Sequence, residues 1–522
     1  MPAAPLNLAA TAGNSTVALT WSASATATSY KVKRGTTSNG PYPQIFTSTT
    51  TSYNDASVAN GTTYYYVVSA VNAAGEGALS SQVSATPVPP APAKPTNLSA
   101  TAGDATVTLN WTASSGATNY KVKRSTTNGG PYSQYATPTT ASYTDTSVTN
   151  GLTYYYVVSA VNAGGESANS TQVTASPVAL AANSIVGLHV SGNKILNGAN
   201  QQVTLRGVNK QGTEYQCLYS AAIFDGPSDA NSVTVLKTWS INIVRLPINE
   251  QCWLGINGVP VGGTTASDYR AAIVNYVNLL NAGNIAVIID LQWAAPGTYL
   301  ANKLTPMPDA DHAPAFWTSV ANTFKSNSSV IFDLFNEPWP DNNGNSTAAW
   351  TCLREGGNCT GVTYDTGSTQ VPYTAVGTQS LVNTIRATGS TNIIMVPGLQ
   401  FTNVLDQWLT YKPNDPAGQL AASWHSYAGQ ICSTLSCWTG VIQPVLANVP
   451  LITGEIGEND CATTYINPLM TFLDSVGANY LAWAWNAYSD PAACNNIPAL
   501  ISDYNGTPTA FGIGFRDHLI GH

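Results

Sequence analysis

Charge is scarce in this chain. Of 522 residues only 9% are Asp, Glu, Lys or Arg, against roughly 25% in an average soluble protein. The 19 Lys and Arg form no run anywhere, so a phosphate-tracking surface has little to be built from and nucleic acid is excluded as a partner. No stretch approaches the ~20 consecutive apolar residues that span a bilayer, which argues against a membrane protein. The opening MPAAPLNLAA lacks the charged n-region and long apolar h-region of a secretory signal. The expectation is a secreted chain whose signal has been removed, the Met being a replacement start. Disorder is excluded as well, because 43% hydrophobic and 9% aromatic residues are ample for packed cores.

Cysteine is absent before Cys217. The spacing of the eight predicts short-loop disulfides Cys352–Cys359 and Cys432–Cys437, with Cys217/Cys252 and Cys461/Cys494 as longer pairs. That set points to an oxidising compartment. Reduced, buried thiols are the plainer alternative. A zinc site fits less well, since there is no CxxC pair and no close Cys/His cluster. Charge divides just as unevenly: residues 1–178 carry seven Lys and Arg against five Asp and Glu, a balance of +2, which leaves −10 for the remainder.

What the first third does contain is a repeat. TAGNSTVALTWSAS at 11–24 returns as TAGDATVTLNWTAS at 101–114, and TYYYVVSAVNAAGE at 63–76 as TYYYVVSAVNAGGE at 153–166, each 90 residues later. Two tandem copies of one small domain follow. Val17, Leu19 and Trp21 alternate with polar residues, as do Tyr30 and Val32 with Lys31 and Lys33, the period of a half-buried strand. Each copy therefore reads as a β-sandwich. ANGTTYYYVVSAVN resembles the strand F region of fibronectin type III domains, which implies core tryptophans Trp21 and Trp111 and tyrosine-corner residues Tyr64 and Tyr154. The exposed aromatics are read as packing within spacer modules, with sugar binding the rival role. The expected boundaries are 1–88 and 95–178 for the modules, a stiff Pro-rich linker at 89–94, a second linker at 179–184 and a barrel over 185–522.

Past residue 185 the texture becomes eight short apolar runs: 203–209, 241–249, 284–293, 330–338, 392–399, 420–427, 450–457 and 479–486. Helix-length stretches such as 267–283 and 313–326 separate most of them. Near-continuous apolar strands alternating with helices argue for a parallel sheet, and eight units argue for a closed (β/α)8 TIM barrel. LHVSGNKILNGANQQ ahead of the first run reads as a hairpin plugging its bottom. In such a barrel, catalytic groups belong at the C-terminal ends of strands. Asn209, Arg245 with Asn249, Gln292 with Trp293, Asn336 with Glu337, His425 with Tyr427, Glu455 and Trp485 all cluster there. In a chain so poor in charge, carboxylates in apolar strands are costly unless used, and two glutamates facing one cleft suit work on a glycosidic bond.

FDLFNEP followed by TGEIG, with VRLPIN, SWHSY and a Trp at the eighth strand, is similar to glycoside hydrolase family 5. GVNKQGTEYQC, NEQCWLGING, PMPDADHAPAFW and ALISDYNGTPTAFG resemble its bacterial secreted endoglucanases. The resemblance covers about 185–520 and implies a retaining endo-β-1,4-glucanase with Glu337 as acid/base and Glu455 as nucleophile. Arg245 and Tyr427 would stabilise the Glu455 charge, Asn336 would hold the sugar 2-hydroxyl, His425 would complete the network, and Trp485 would floor the reacting ring. Glu458 is the competitor for Glu455, Asp290 and Asp333 read as interior structural carboxylates, and Trp253, Trp293, Trp339 and Trp408 are candidates for sugar subsites or loop packing. One departure is that DLQW stands where the family commonly has DLHW. Gln292 keeps hydrogen-bonding capacity but carries no proton. No cofactor and no metal is expected, because two carboxylates supply the chemistry; the partner is a β-linked polysaccharide and the default state a monomer. Mannan, xyloglucan or mixed-linkage glucan is the nearer rival substrate, and a binding or adhesive protein with a vestigial barrel the rival class.

Overall fold

The computed structural model describes residues 1–487 and 498–521, and the chain divides into two units between Ala179 and Leu180.

The first unit holds the two repeats as separate sandwiches. In the first, Ala9–Ala12, Val17–Thr20 and Ser52–Asp55 form one antiparallel sheet, and Gln44–Ser48, Ser29–Gly35, Tyr64–Asn72 and Gly75–Leu79 the other, with Val83–Ala85 added beside Tyr64–Asn72. The alternation seen in the sequence is the reason: Val17, Leu19, Trp21, Tyr30 and Val32 all point into one core. Tyr64 accepts a hydrogen bond from the Ala59 amide at 3.0 Å, and Tyr154 one from the Thr149 amide at 2.9 Å, so both copies carry the expected tyrosine corner. Under each corner an Arg is locked to a fully buried Asp: Arg34 Nη1 to Asp55 Oδ2 and Arg124 Nη1 to Asp145 Oδ2, both at 2.7 Å, with Tyr66 and Tyr156 donating to the same carboxylates.

The second unit is a closed parallel barrel of eight strands, namely β1 (Arg206–Asn209), β2 (Ile243–Asn249), β3 (Ala286–Trp293), β4 (Val330–Asp333), β5 (Ile394–Val396), β6 (Leu420–Tyr427), β7 (Leu451–Gly457) and β8 (Asn479–Ala482). All eight apolar runs became strands. Every residue of β2 and β7 is buried, as helices on the outside and side chains on the inside demand. The helix Ala266–Ala282 shows the outer layer: Thr265 and Asp268 form a reciprocal capping box, and Tyr269, Ile273, Tyr276, Val277 and Leu280 present one buried face. At the bottom, strands His189–Ser191 and Lys194–Leu196 make the expected hairpin. Its Ile195 packs in one cluster with Ile243, Ile288, Ile331, Met395, Ile452 and Leu481 from the barrel strands.

Disulfides Cys217–Cys252, Cys352–Cys359 and Cys432–Cys437 are all formed. Cys461 is disulfide-bonded too; Cys494, the partner expected for it, lies outside the described residues. A feature not foreseen is a pair of small hairpins between β4 and β5, in which Gly356–Gly357 pairs with Ala375–Val376 and Thr363–Asp365 with Gln370–Pro372.

Candidate active site

The ends of the strands converge on a cavity of about 470 Å³ whose lining includes Gln292, Asn336, Glu337, Tyr427, Glu455 and Trp483. Behind that lining lies Arg245, fully buried inside β2. That guanidinium faces three carboxylates at 3.0 Å each: Asp290 through Nη2, Asp333 through Nε and Glu455 through Nη1. Nη1 also reaches Asn209 Oδ1 at 3.0 Å, and Nη2 the Asn336 Oδ1 at 2.8 Å. One planar cation with a fork of donors thereby positions groups from strands β1, β3, β4 and β7 at once.

Glu455 is held from both sides, since its Oε1 meets Arg245 and its Oε2 accepts the Tyr427 hydroxyl at 2.5 Å. Glu337 lies four residues past the end of β4, and its Oε1 is 3.0 Å from Nδ1 of His425. The same Nδ1 stands 3.7 Å from Glu455 Oε2. One carboxylate oxygen of Glu337, one of Glu455 and a ring nitrogen of His425 all lie within 4.8 Å of one another. The flanking glycines in TGEIG make this approach possible. A Cβ at Gly454 would come within 2.8 Å of His425 Nε2, and one at Gly457 within 2.8 Å of Tyr427 Cε1, so β7 packs this closely against β6 only because both positions lack a side chain.

Burial dominates the electrostatics. It raises the Glu337 carboxyl to about 7 against a weaker pull from Arg245, and pushes the His425 imidazole down to about 4. Burial likewise lifts Asp333 to about 6 and Asp290 well above the usual carboxylate range, although Arg245 opposes both. The Tyr427 phenol is raised by burial and then by the Glu455 and Glu337 charges, and stays a donor. A carboxyl that keeps its proton to near neutrality therefore faces a second carboxylate whose two oxygens are separately oriented, across a cavity of sugar size.

Most of the residues expected at the site are brought together here: Arg245, Gln292, Asn336, Glu337, His425, Tyr427 and Glu455. Gln292 lines the cavity, its Oε1 buried without a hydrogen-bond partner among the described residues. Trp485 is a correction. The chain leaves strand geometry after Ala482, and Trp485 turns inward, only 3% exposed, to pack edge-on against Trp239 with centroids 4.8 Å apart. Trp483 takes the place at the cavity wall. Trp293 is half-buried at the end of β3 and is not part of that wall. Trp253 and Trp408 are buried packing residues. Glu458 does reach the cavity, but its Oε2 is engaged by the Tyr465 amide at 2.9 Å. Asp290 and Asp333 are interior carboxylates in register with each other, as read, and both serve Arg245. Phe401, Asn403 and Gln430 also line the cavity; they sit in loops with no periodic signal and were not singled out.

Glu250, Asp309 and His312 form a second cluster with ligand-type atoms within 4.8 Å. Glu250 Oε2 there accepts the Ala295 amide at 2.7 Å and Asp309 Oδ1 the Asp311 and His312 amides at 3.0 and 2.7 Å, so these carboxylates tie loop backbone.

Residues 196–489 match Cellulase (glycosyl hydrolase family 5). The chain belongs to glycosyl hydrolase family 5. Residues 3–86 and 93–176 match the fibronectin type III domain, so two such domains precede the family 5 barrel. Among curated proteins, the chain is 45% identical over 89 residues to an amylopullulanase of Thermoanaerobacterium saccharolyticum, which covers 17% of this chain and 7% of that protein. It is 26% identical over 153 residues to endoglucanase MaCel5A of Microbulbifer sp. (strain ALW1), covering 29% and 26%. The chain thus spans about a quarter or less of the length of these curated relatives. A solved endo-β-1,4-glucanase of Xanthomonas axonopodis pv. citri, a triple mutant, matches at 19% identity and a TM-score of 0.46 over 61% of this chain and all of that one.

Proposed function

We propose that this family 5 member is a secreted endo-β-1,4-glucanase that retains anomeric configuration, with Glu337 as acid/base and Glu455 as nucleophile. The observation that carries the proposal is the approach of the two carboxylates, whose oxygens come within 4.8 Å. Retaining glycosidases hold the pair ~5–5.5 Å apart, whereas inverting ones leave ~6.5–9.5 Å for a water.

In the first step Glu455 Oε2 or Oε1 attacks the anomeric carbon, the bond to the leaving oxygen breaks, and Glu337 passes its proton to that oxygen. The raised Glu337 pKa supports this, since the group must start protonated. The product is a glycosyl ester on Glu455. In the second step Glu337 takes a proton from water, whose oxygen attacks the same carbon from the vacated face, and Glu455 leaves. Two inversions give net retention. Arg245 and Tyr427 orient Glu455 through both steps. Because Arg245 donates to Asn336 Oδ1, the amide NH2 of Asn336 is the end available to the sugar 2-hydroxyl. Trp483 supplies the wall beside the reacting ring. The disulfides suit an oxidising compartment, in keeping with secretion.

The test is reducing-sugar release from a panel of soluble β-glucans and mannan, with the product anomer followed by NMR and viscosity followed in parallel. The expected outcome is β-product first, a fast fall in viscosity, and no release by Glu337→Gln or Glu455→Gln. First-formed α-product would overturn the roles, and cleavage confined to mannan would overturn the substrate.

A further inference from the structure

Glu250, Asp309 and His312 come from separate segments that meet past the C-terminal ends of β2 and β3. Glu250 opens the short helix after β2, Asp309 lies in the loop after β3, and His312 stands at the N-terminus of the helix Ala313–Phe324. None of the three lines the catalytic cavity. Each carboxylate has one oxygen fixed by backbone amides, Glu250 Oε2 by Ala295 and Asp309 Oδ1 by Asp311 and His312. The other oxygen of each, Glu250 Oε1 and Asp309 Oδ2, is buried with no hydrogen-bond partner among the described residues, and both acids are fully buried. A ring nitrogen of His312 completes the group within 4.8 Å. Nδ1 of that ring meets the Ala295 carbonyl at 2.8 Å, the kind of outer contact that orients a ligating imidazole.

Two buried carboxylates side by side need positive charge between them to stay ionised. Burial, and then the Asp309 charge, press Glu250 toward its neutral form, and among the described residues no Lys or Arg pairs with either acid. A proton shared by the two carboxyls would leave the third donor without a role; a metal ion uses all three. The side chain of His312 is 24% exposed, which gives an ion its way in and leaves room for water. We propose that Glu250, Asp309 and His312 form a structural zinc site that clasps the end of β2 to the loop after β3. Calcium and magnesium favour six or more oxygens, whereas two carboxylate oxygens, one imidazole and a water make the tetrahedral set zinc prefers. No cysteine takes part, so cysteine spacing gave no sign of it. The inference does not rest on the glucanase reading.

The experiment strips the full chain with EDTA, adds Zn2+, and reads bound metal after gel filtration together with the thermal unfolding of the barrel. One zinc per chain is expected, and Zn2+ at a hundredfold excess over its Kd should raise the transition by about 5 °C. His312 makes no side-chain capping bond to its helix, so His312→Ala should fold, yet bind zinc at least about tenfold more weakly and lose most of the shift. Asp309→Asn should do the same. Absence of bound zinc with no shift overturns the proposal and assigns the neutralising charge to a shared proton. Zinc kept by His312→Ala but lost from Glu337→Gln also overturns it, since the ion would then sit in the catalytic cavity.

Discussion

Arg245 Nη1 lies 3.0 Å from Glu455 Oε1, a contact made entirely beneath the cavity floor. Because the same guanidinium also faces Asp290 and Asp333, its removal strands several buried acids. Arg245→Ala is expected to lower stability by about 3–5 kcal/mol, as breaking a buried pair does, whereas Asp290→Asn should cost under about 1 kcal/mol. Burial already favours the neutral form of Asp290, its 3.0 Å contact with Arg245 Nη2 lacks hydrogen-bond geometry, and Arg245 keeps Asp333 and Glu455 as partners when the Asp290 charge is removed. Urea melts of the two variants check this, and a Asp290→Asn loss as large as that of Arg245→Ala would contradict it.

The pH dependence follows from Glu337. With its carboxyl at about 7, kcat/KM should fall on the basic side through about pH 7. His425, at about 4, is neutral across that limb. Stability moves in the same sense. Below the ordinary value of 4.5 both folded and unfolded chains hold the proton; between 4.5 and about 7 only the folded chain does, so stability is lost as pH rises. The loss is about 3 kcal/mol at most. Glu337→Gln is expected to be the more stable protein at pH 8, by a margin that shrinks toward pH 4.5, and a margin independent of pH would refute the raised value.

Tyr427→Phe removes the hydroxyl donated to Glu455 while keeping the ring against Gly457. A hydrogen bond to a charged group contributes about 1.5–3 kcal/mol, so kcat should drop about 10- to 100-fold. Steady-state kinetics on a soluble glucan would show it, and a drop confined to KM would mean that the hydroxyl serves binding rather than Glu455.

The two tryptophans after β8 should part company. Trp485→Ala empties a packed site against Trp239 and is expected to destabilise by about 3–5 kcal/mol. Trp483→Ala, at the cavity wall, should leave stability within about 1 kcal/mol and raise KM instead. Thermal melts beside substrate titrations separate the outcomes.

These residues also show where reading the chain succeeded and where it failed. Strands such as IVRLPIN and LITGEIG declared themselves because both faces are buried, leaving apolar runs against which the few polar residues stand out. Asn336, Glu337, His425, Tyr427 and Glu455 could be picked out for that reason. Trp483 and Trp485 could not be told apart, because residues two apart share a face in any strand and nothing local announces that the strand stops at Ala482. The insertion between β4 and β5 escaped notice because its paired segments are two or three residues long, too short for a period-two pattern. The joint use of Arg245 by Asp290, Asp333 and Glu455 is a matter of distance between strands far apart in the chain, to which periodicity is blind.

The Arg–Asp–Tyr lock in each sandwich, Arg34 with Asp55 and Tyr66, Arg124 with Asp145 and Tyr156, draws every one of its members from within a single copy. Such a unit brings its own fastening wherever it is spliced. A genome can duplicate it, drop it or graft it ahead of an unrelated catalyst without redesigning either interior, and tandem copies at a 90-residue spacing are the trace that kind of shuffling leaves.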